Sequence, residues 1–348
     1  MIFPDMTSTA PLKSQLVDQF ARGISYLRLS VTDRCDLRCA YCMPEKMTFL
    51  PRKDVLSLEE LHDMALGFIA RGITKIRLTG GEPLVRRDMM ELVTALGRKL
   101  GDGLEELTMT TNATRLAEFA EGIAAAGIRR INVSLDTLDR EKFTRLARRD
   151  SLPQVLEGIA AAKAAGLAVK INTVALKGIN EDEIPDLIAW AHGQHFDITL
   201  IEVMPLGDVE EDRFDHYLPL GAVQERLENQ WTLTPSDHRT GGPARYFNVV
   251  GSTGRETGGR LGLITPLTNN FCEGCNRIRV TATGQLFACL GGNEQVDLRA
   301  AMRSDDPEKA LDEGLDIAMK IKPARHHFAI DERGQSPALA RHMSMTGG

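Results

Sequence analysis

Between residues 26 and 204 the chain switches repeatedly between two hydrophobic periods, and the switching itself outlines an architecture. Runs with a period of two, which send successive side chains to opposite faces of an extended segment, fall at 26–31, 74–79, 107–111, 129–135, 168–175 and 198–204. Segments with helical spacing fill the gaps at 58–70, 87–100, 115–125, 140–147, 153–165 and 182–194. Ser57 followed by Glu60 is a capping box for the first of these helices, and Gly72, Gly127 and Gly166 stand where a left-handed residue commonly ends one. Strand and helix in strict alternation predict parallel strands joined by right-handed helical crossovers.

The strands differ from those of a sheet covered on both sides, which read as continuous apolar runs. One face is apolar: Leu27, Leu29, Ile76, Leu78, Ile131, Val133, Leu135, Val169 and Ile171. The other gathers Tyr26, Arg28 and Ser30; Lys75, Arg77 and Thr79; Thr108, Thr110 and Asn112; Asn132, Ser134 and Asp136; Lys170 and Asn172; and Glu202 with Met204. A barrel with a polar lumen follows, and because a closed (β/α) barrel has eight units, this one is expected to be open. The expected fold class is therefore α/β, an incomplete (β/α)6 parallel barrel with a C-terminal α+β region covering the open side. Beyond Met204 the rhythm stops, a hairpin is expected at 277–282 and 285–289, and a last amphipathic helix at 307–320. The expected division is an N-terminal extension at 1–24, the partial barrel at 25–235 and a C-terminal region at 236–348.

Composition narrows the function classes. The 348 residues are 43% apolar and carry a net charge of −6, which argues against a broad electrostatic grip on nucleic acid or anionic membrane. No run approaches the ~18 apolar residues of a membrane span, and residues 1–12 lack a secretory pattern, so a cytoplasmic protein is expected. All 6 cysteines fall in two triplets, Cys35, Cys39 and Cys42, then Cys272, Cys275 and Cys289. Thiolate ligation of metal explains this better than a disulfide framework.

The first triplet follows the first strand, at the end where barrel active sites lie. Three thiolates would leave one corner of a four-iron cluster open to a small molecule. Zinc is the competing ligand for such a set, though no His lies in the loop, and metal-free reactive thiols are a third reading. Cys-x-x-x-Cys-x-x-Cys with Tyr41 before the last cysteine resembles the motif of the radical S-adenosylmethionine (SAM) enzymes, and Gly80-Gly81-Glu82-Pro83 resembles their glycine-rich SAM motif. The resemblance implies a [4Fe-4S] cluster whose open iron holds SAM, cleaved by one electron to a 5′-deoxyadenosyl radical.

The second triplet brackets the expected hairpin, beside Arg277 and Arg279 on one strand face, and two guanidiniums aimed one way suit phosphate oxygens. A Cys₃His zinc completed by His326 or His327 stays open on spacing alone. The segment 271–279, Cys289 and the terminal Gly347-Gly348 resemble the GTP 3′,8-cyclase family of lyases, the radical SAM branch that begins molybdenum cofactor biosynthesis. The resemblance runs from about residue 20 to the C-terminus. It implies a second [4Fe-4S] cluster binding the guanine base, hydrogen abstraction at the ribose C3′ and attack on C8 to give (8S)-3′,8-cyclo-7,8-dihydroguanosine 5′-triphosphate. It also implies GTP contacts at Arg28, Arg77, Thr110, Lys170, Arg277 and Arg279, and SAM contacts at Tyr41, Gly81, Ser134 and Met204. Implied partners are a reductant such as flavodoxin or ferredoxin and a downstream cyclic pyranopterin monophosphate synthase, with a homodimer among the assemblies left open. The terminal glycines are expected to enter the active site, although Thr346 is smaller and more polar than the anchor expected there. A radical SAM peptide- or enzyme-maturing protein is the nearest alternative, and a plain electron carrier the more distant one.

Overall fold

The computed structural model describes residues 13–347. Six parallel strands, β1 (Tyr26–Ser30), β2 (Lys75–Thr79), β3 (Glu106–Thr111), β4 (Arg130–Ser134), β5 (Ala168–Ala175) and β6 (Asp197–Glu202), lie side by side in chain order. The helix Leu58–Ala70 starts at Ser57, whose hydroxyl accepts from Glu60 N while the Glu60 carboxylate accepts from Ser57 N. The helices that follow the strands bury their apolar stripes on the outer face, in one core that runs from Leu16 to Met319.

The C-terminal half does more than cover an open side. It supplies β7 (Thr232–Ser236), β8 (Arg245–Val250), β9 (Glu256–Ile264), β10 (Arg277–Val280), β11 (Gln285–Phe287) and β12 (Gln295–Asp297). Strand β9 joins β6 in parallel and β10 joins β1 in parallel, so a 12-stranded open sheet runs β12-β11-β10-β1-β2-β3-β4-β5-β6-β9-β8-β7. Both edges of the six-stranded unit are thus extended by later chain. The glycine-rich composition of β9, with Gly258, Gly259 and Gly262, concealed it as a strand, yet those glycines are what let it pack: a Cβ at Gly259 would lie 2.3 Å from Phe196 O, and one at Gly262 2.8 Å from Thr199 Oγ1.

Register tests the face assignments. Arg279 pairs with Arg28, Arg28 with Arg77 and Arg77 with Thr108, and a second row runs from Thr110 through Asn132 to Lys170. Paired residues share a face, so both arginines of β10 join the polar lumen. Glu202 does not. Asn172 pairs with Thr199 and Val174 with Ile201, which puts Thr199 and Ile201 on the lumen face and Glu202 on the outer one. There its carboxylate accepts from Leu220 N at 3.2 Å, Leu267 N at 3.0 Å and Thr268 Oγ1 at 2.5 Å, fastening the segments that follow β6 and β9. Met204 lies past the end of the strand, so its side chain is not set by strand parity; it packs with Leu206, Leu339 and Met343.

Candidate active site

The cysteine loop after β1 is held by main-chain bonds to two neighbours. Val31 N donates to Thr79 O, Gly81 N to Thr32 O at 2.9 Å and Glu82 N to Arg34 O at 2.8 Å; on the other side Arg38 N and Ala40 N donate to Ala147 O and Leu146 O. Gly80 has φ +146°, and a Cβ there would stand 2.3 Å from Thr32 O, while a Cβ at Gly81 would stand 2.2 Å from Arg34 O. The two glycines are therefore demanded by the cysteine loop itself, a closer approach than the ligand contact expected from the sequence. Glu82 is buried beneath them and accepts from Leu84 N, Thr111 Oγ1 and Asn112 N. Burial pushes its carboxyl up to about 7 against those three donors. Asn112 Nδ2 reaches Cys35 Sγ at 3.7 Å and Asp36 Oδ1 at 2.7 Å. Arg34 and Arg38 lie over the Phe49 ring.

Burial raises all three thiols of this loop, Cys42 to about 11, and the neighbouring acids Glu82, Asp36 and Asp136 add to the effect on Cys35 and Cys39. The Ser344 N–H and Arg213 act in the opposite sense on Cys42. Tyr41 donates its hydroxyl to Asp136 Oδ2 at 2.6 Å and packs against Leu146, Leu176 and Val203. Asp136, raised to about 6 by burial, also accepts from Val174 N. Ser134 is half-buried at the end of β4, beside Asn172.

The second triplet sits at the opposite end of the same strands. Cys272 and Cys275 precede β10, with Cys275 N donating to Cys272 O, and Cys289 follows β11, which runs antiparallel to β10. Because β10 is parallel to β1, the two loops are separated by roughly the length of β1, about 16 Å at about 3.3 Å per residue. Burial opposes ionisation of Cys275, yet Arg277 and Lys322 overcome it and hold that thiol below its usual value. Arg277 lies over the Phe271 ring, with Nη2 3.8 Å from Cys275 Sγ. His326 is enclosed by Phe271 and Phe328. Among the described residues no three Cys, His, Asp or Glu side chains converge on a point that could hold one metal ion. A cubane takes its thiolates at separate corners, so thiols that do not converge on one point are compatible with a four-iron cluster.

Between the loops the lumen is crowded with cations, two of which have unpartnered nitrogens. Arg28 Nε and Nη2, Arg77 Nε, Thr110 Oγ1, Asn172 Oδ1 and Thr199 Oγ1 are buried without a hydrogen bond. With its amide turned so that oxygen faces the guanidinium, Asn132 accepts from Arg77 Nη1 at 2.7 Å. Lys170 Nζ donates to Tyr246 OH at 3.2 Å, and Lys75 Nζ donates to Thr240 O at 2.6 Å and pairs with Glu106 at 2.5 Å. Arg279 Nη1 donates to Gly347 O at 2.7 Å and Thr346 O at 3.3 Å, which brings the C-terminal tail into the lumen. Thr346 is fully buried in the short helix Met343–Thr346, with its Oγ1 unpartnered; Gly348 lies outside the described residues. Burial, then the charge of Arg279 and Arg77, drives Arg28 well below the usual guanidinium range; burial and Arg277 bring Arg279 down to about 9, and burial and Arg77 depress Lys170. Such mutual repulsion in a closed space suits a bound polyanion.

The structure thus brings Arg28, Arg77, Thr110, Lys170, Arg277 and Arg279 to one lumen. Of the SAM candidates, Gly81 adjoins the first cysteine loop through its main chain, Tyr41 lies within that loop with its side chain turned to Asp136, and Met204 packs in the apolar cluster beneath the tail. Sequence reasoning missed Arg22, Lys322 and Arg341. Arg22 Nη1 donates to Cys272 O at 2.8 Å, and Arg341 Nη2 reaches Cys289 O at 3.4 Å. All three come from segments remote in the chain, with no local spacing to mark them.

Comparison with known proteins completes the picture. Residues 29–191 match the family model of the radical SAM superfamily and residues 196–328 that of Molybdenum Cofactor Synthesis C. The chain is 71% identical over 335 residues to the GTP 3′,8-cyclase of Erythrobacter litoralis (strain HTCC2594), covering 96% of this chain and 99% of that protein. It is 56% identical over 348 residues to the GTP 3′,8-cyclase of Sinorhizobium medicae (strain WSM419), covering 99% and 98%. Among solved structures, Streptococcus suis SuiB bound to S-adenosylmethionine superposes with a TM-score of 0.60 at 17% identity, over 86% of this chain and 68% of that one, a likeness of fold alone.

Proposed function

From the premise that the chain belongs to the GTP 3′,8-cyclase family of radical SAM enzymes, we propose that GTP lies in the lumen between the two cysteine loops, its triphosphate among the buried cations. The protein is a GTP 3′,8-cyclase of molybdenum cofactor synthesis that uses SAM and two [4Fe-4S] clusters. When bound, the first cluster and SAM supply the one-electron chemistry that removes the ribose C3′ hydrogen, and C3′–C8 bond formation gives (8S)-3′,8-cyclo-7,8-dihydroguanosine 5′-triphosphate. Cys35, Cys39 and Cys42 hold that cluster, with Gly81, Tyr41, Ser134 and Met204 around SAM. Cys272, Cys275 and Cys289 would hold the second, at the end of the lumen where the guanine would lie.

What this chain's own residues do follows from their placement. The loops lie at opposite ends of β1, so a GTP held by its base at the second loop and by its phosphates on the lumen cations has its ribose to turn toward the first. Arg28, Arg77, Lys170, Arg277 and Arg279 neutralise the triphosphate, and Thr110 Oγ1 offers a donor. Gly347 at one end and the Thr240 loop at the other restrict water. The observation that carries this reading is the set of buried, unpartnered nitrogens on Arg28 and Arg77.

Anaerobic incubation of the reconstituted protein with GTP, SAM and a reductant should yield an isomer of GTP by mass together with 5′-deoxyadenosine, and absence of the isomer would refute the reading. Arg28→Ala should weaken GTP binding by about tenfold to a hundredfold, about 1.4–2.8 kcal/mol, while leaving guanosine binding nearly unchanged. An equal loss for both ligands would remove the phosphate role. The reading extends to a cytoplasmic setting, in keeping with bacterial relatives and with a described chain in which no helix is long and apolar enough to cross a membrane. It extends also to a flavodoxin- or ferredoxin-like reductant, to the pyranopterin-forming synthase downstream, to a homodimer, and to the division at residues 25–235 and 236–348.

A further inference from the structure

The helix Pro307–Ile321 ends at Lys322, whose side chain is 1% exposed. A lysine at a helix C-terminus ordinarily serves its own last carbonyls and the helix dipole. This one turns away. Its Nζ donates to Arg277 O at 2.9 Å, to Ala288 O at 2.5 Å and to Cys275 Sγ at 3.8 Å. An ammonium has three donors and a neutral amine only two, so the geometry uses the full complement of the charged form. No carboxylate forms an ion pair with it among the described residues. An ammonium buried among carbonyls alone would cost several kcal/mol. Asp18 favours the charge from farther off, and the nearest compensating negative charge is on the sulfur side, as the thiolates and sulfides of a cluster would supply. Arg22 reinforces the arrangement from outside, bonding Cys272 O, Pro323 O and Ala324 O and so locking the cysteine turn to the chain that follows Lys322.

We propose that Lys322 is a positioning residue of the second iron–sulfur site, bridging the two arms of the ligand hairpin and setting the charge against which that cluster is reduced. The proposal rests on the reading of Cys272, Cys275 and Cys289 as cluster ligands. Arg277 O and Ala288 O lie on opposite arms, one just past Cys275 and the other just before Cys289, so a single ammonium fixes the spacing of two ligands. A positive charge at hydrogen-bond distance from a ligand sulfur favours the reduced, more negative cluster; charge and hydrogen bonds to sulfur are the terms that set such potentials. Among the described residues no lysine donates to a sulfur of the first cysteine loop.

The test is a redox titration of reconstituted holoenzyme followed by electron paramagnetic resonance, for the parent, Lys322→Met and Lys322→Arg. Lys322→Met removes the charge and keeps the length. It is expected to retain iron at both sites and to move the second cluster to a more negative potential, so that the reduced-to-oxidised ratio at the parent's midpoint falls about tenfold. The first cluster should titrate as in the parent, and Lys322→Arg should recover most of the shift. An unchanged second-cluster potential in a fully loaded Met variant overturns the proposal. If the Met variant does not load its second site, the Arg variant decides: loading with a potential near the parent's supports the assignment, and failure to load in a chain whose circular dichroism is unchanged overturns it. A parent protein with only about four irons would refute the cluster reading of the second triplet, a failure distinct from that of Lys322.

Discussion

Cys272→Ser is expected to abolish the cyclised nucleotide while part of the cleavage of SAM to 5′-deoxyadenosine survives. The argument is one of separation. Cys272 is buried at the end of β1 and β10 remote from the first cysteine loop, and its turn is fastened by Arg22. The first loop is built on Thr79, Gly81 and the end of the helix Arg140–Ala147, none of which belongs to that turn. A serine hydroxyl is a poor substitute for a thiolate, so the iron content should fall from about eight to about four per chain. With the guanine end unheld, C3′ is no longer presented to the lumen. Cyclisation should fall by at least about a thousandfold, equivalent to about 4 kcal/mol of barrier. The measurement is the yield of GTP isomer and of 5′-deoxyadenosine in the same anaerobic reaction. Loss of both products would make the second triplet a structural support, and retention of cyclisation would remove it from the substrate site.

The legible parts of this molecule were those in which one period of hydrophobicity decided one side chain's direction. Arg28, Arg77, Thr110 and Lys170 could be placed on a common face because each sits inside a strand whose other face is Leu, Ile or Val, and register places them there. Glu202 was misplaced for an instructive reason: counting parity through Met204 carried the pattern past the end of β6, where the chain no longer alternates. A single step of register moves a residue to the other face, and here it separated a carboxylate that fastens loops from the cationic lumen. Strand β9 escaped notice because its glycines suppress the apolar signal while serving its close packing on Phe196 and Thr199. Lys322, Arg22 and Arg341 were beyond reach of any local pattern, since each meets its cysteine loop through tertiary contact alone.

The two sites also differ in electrostatics in a way that the cysteine spacing does not foretell. Asp36, Glu82 and Asp136 border the first loop together with the cations Arg34, Arg38 and Arg213, whereas the second faces Arg277 and Lys322. Negative surroundings make a cluster harder to reduce and a stronger reductant once reduced; positive surroundings do the reverse. The loop beside the arginines is thus the one suited to hold an electron-rich base and its phosphates.

Gly347→Ala should lower kcat/KM for GTP by about tenfold or more with little change in the unfolding midpoint. Gly347 has φ +72°, and a Cβ there would lie 2.2 Å from Thr79 Cγ2 and 2.4 Å from Thr79 Oγ1. The backbone conformation alone costs a residue with a side chain about 1–2 kcal/mol. The collision adds to this, and because Thr79 is held in β2 immediately before Gly80 and Gly81, the tail is the part that must yield. Its retreat takes Gly347 O away from Arg279 and opens the lumen beside the cationic row. Gly334→Ala provides the control: φ there is +75°, and a Cβ would meet nothing within 4 Å. That variant carries a similar backbone penalty far from the lumen, and its turnover should match the parent's. If the two variants prove equally active, the close approach of the tail has no part in catalysis; if Gly347→Ala alone loses activity while binding GTP as tightly as the parent, the tail acts on the reacting geometry rather than on substrate affinity.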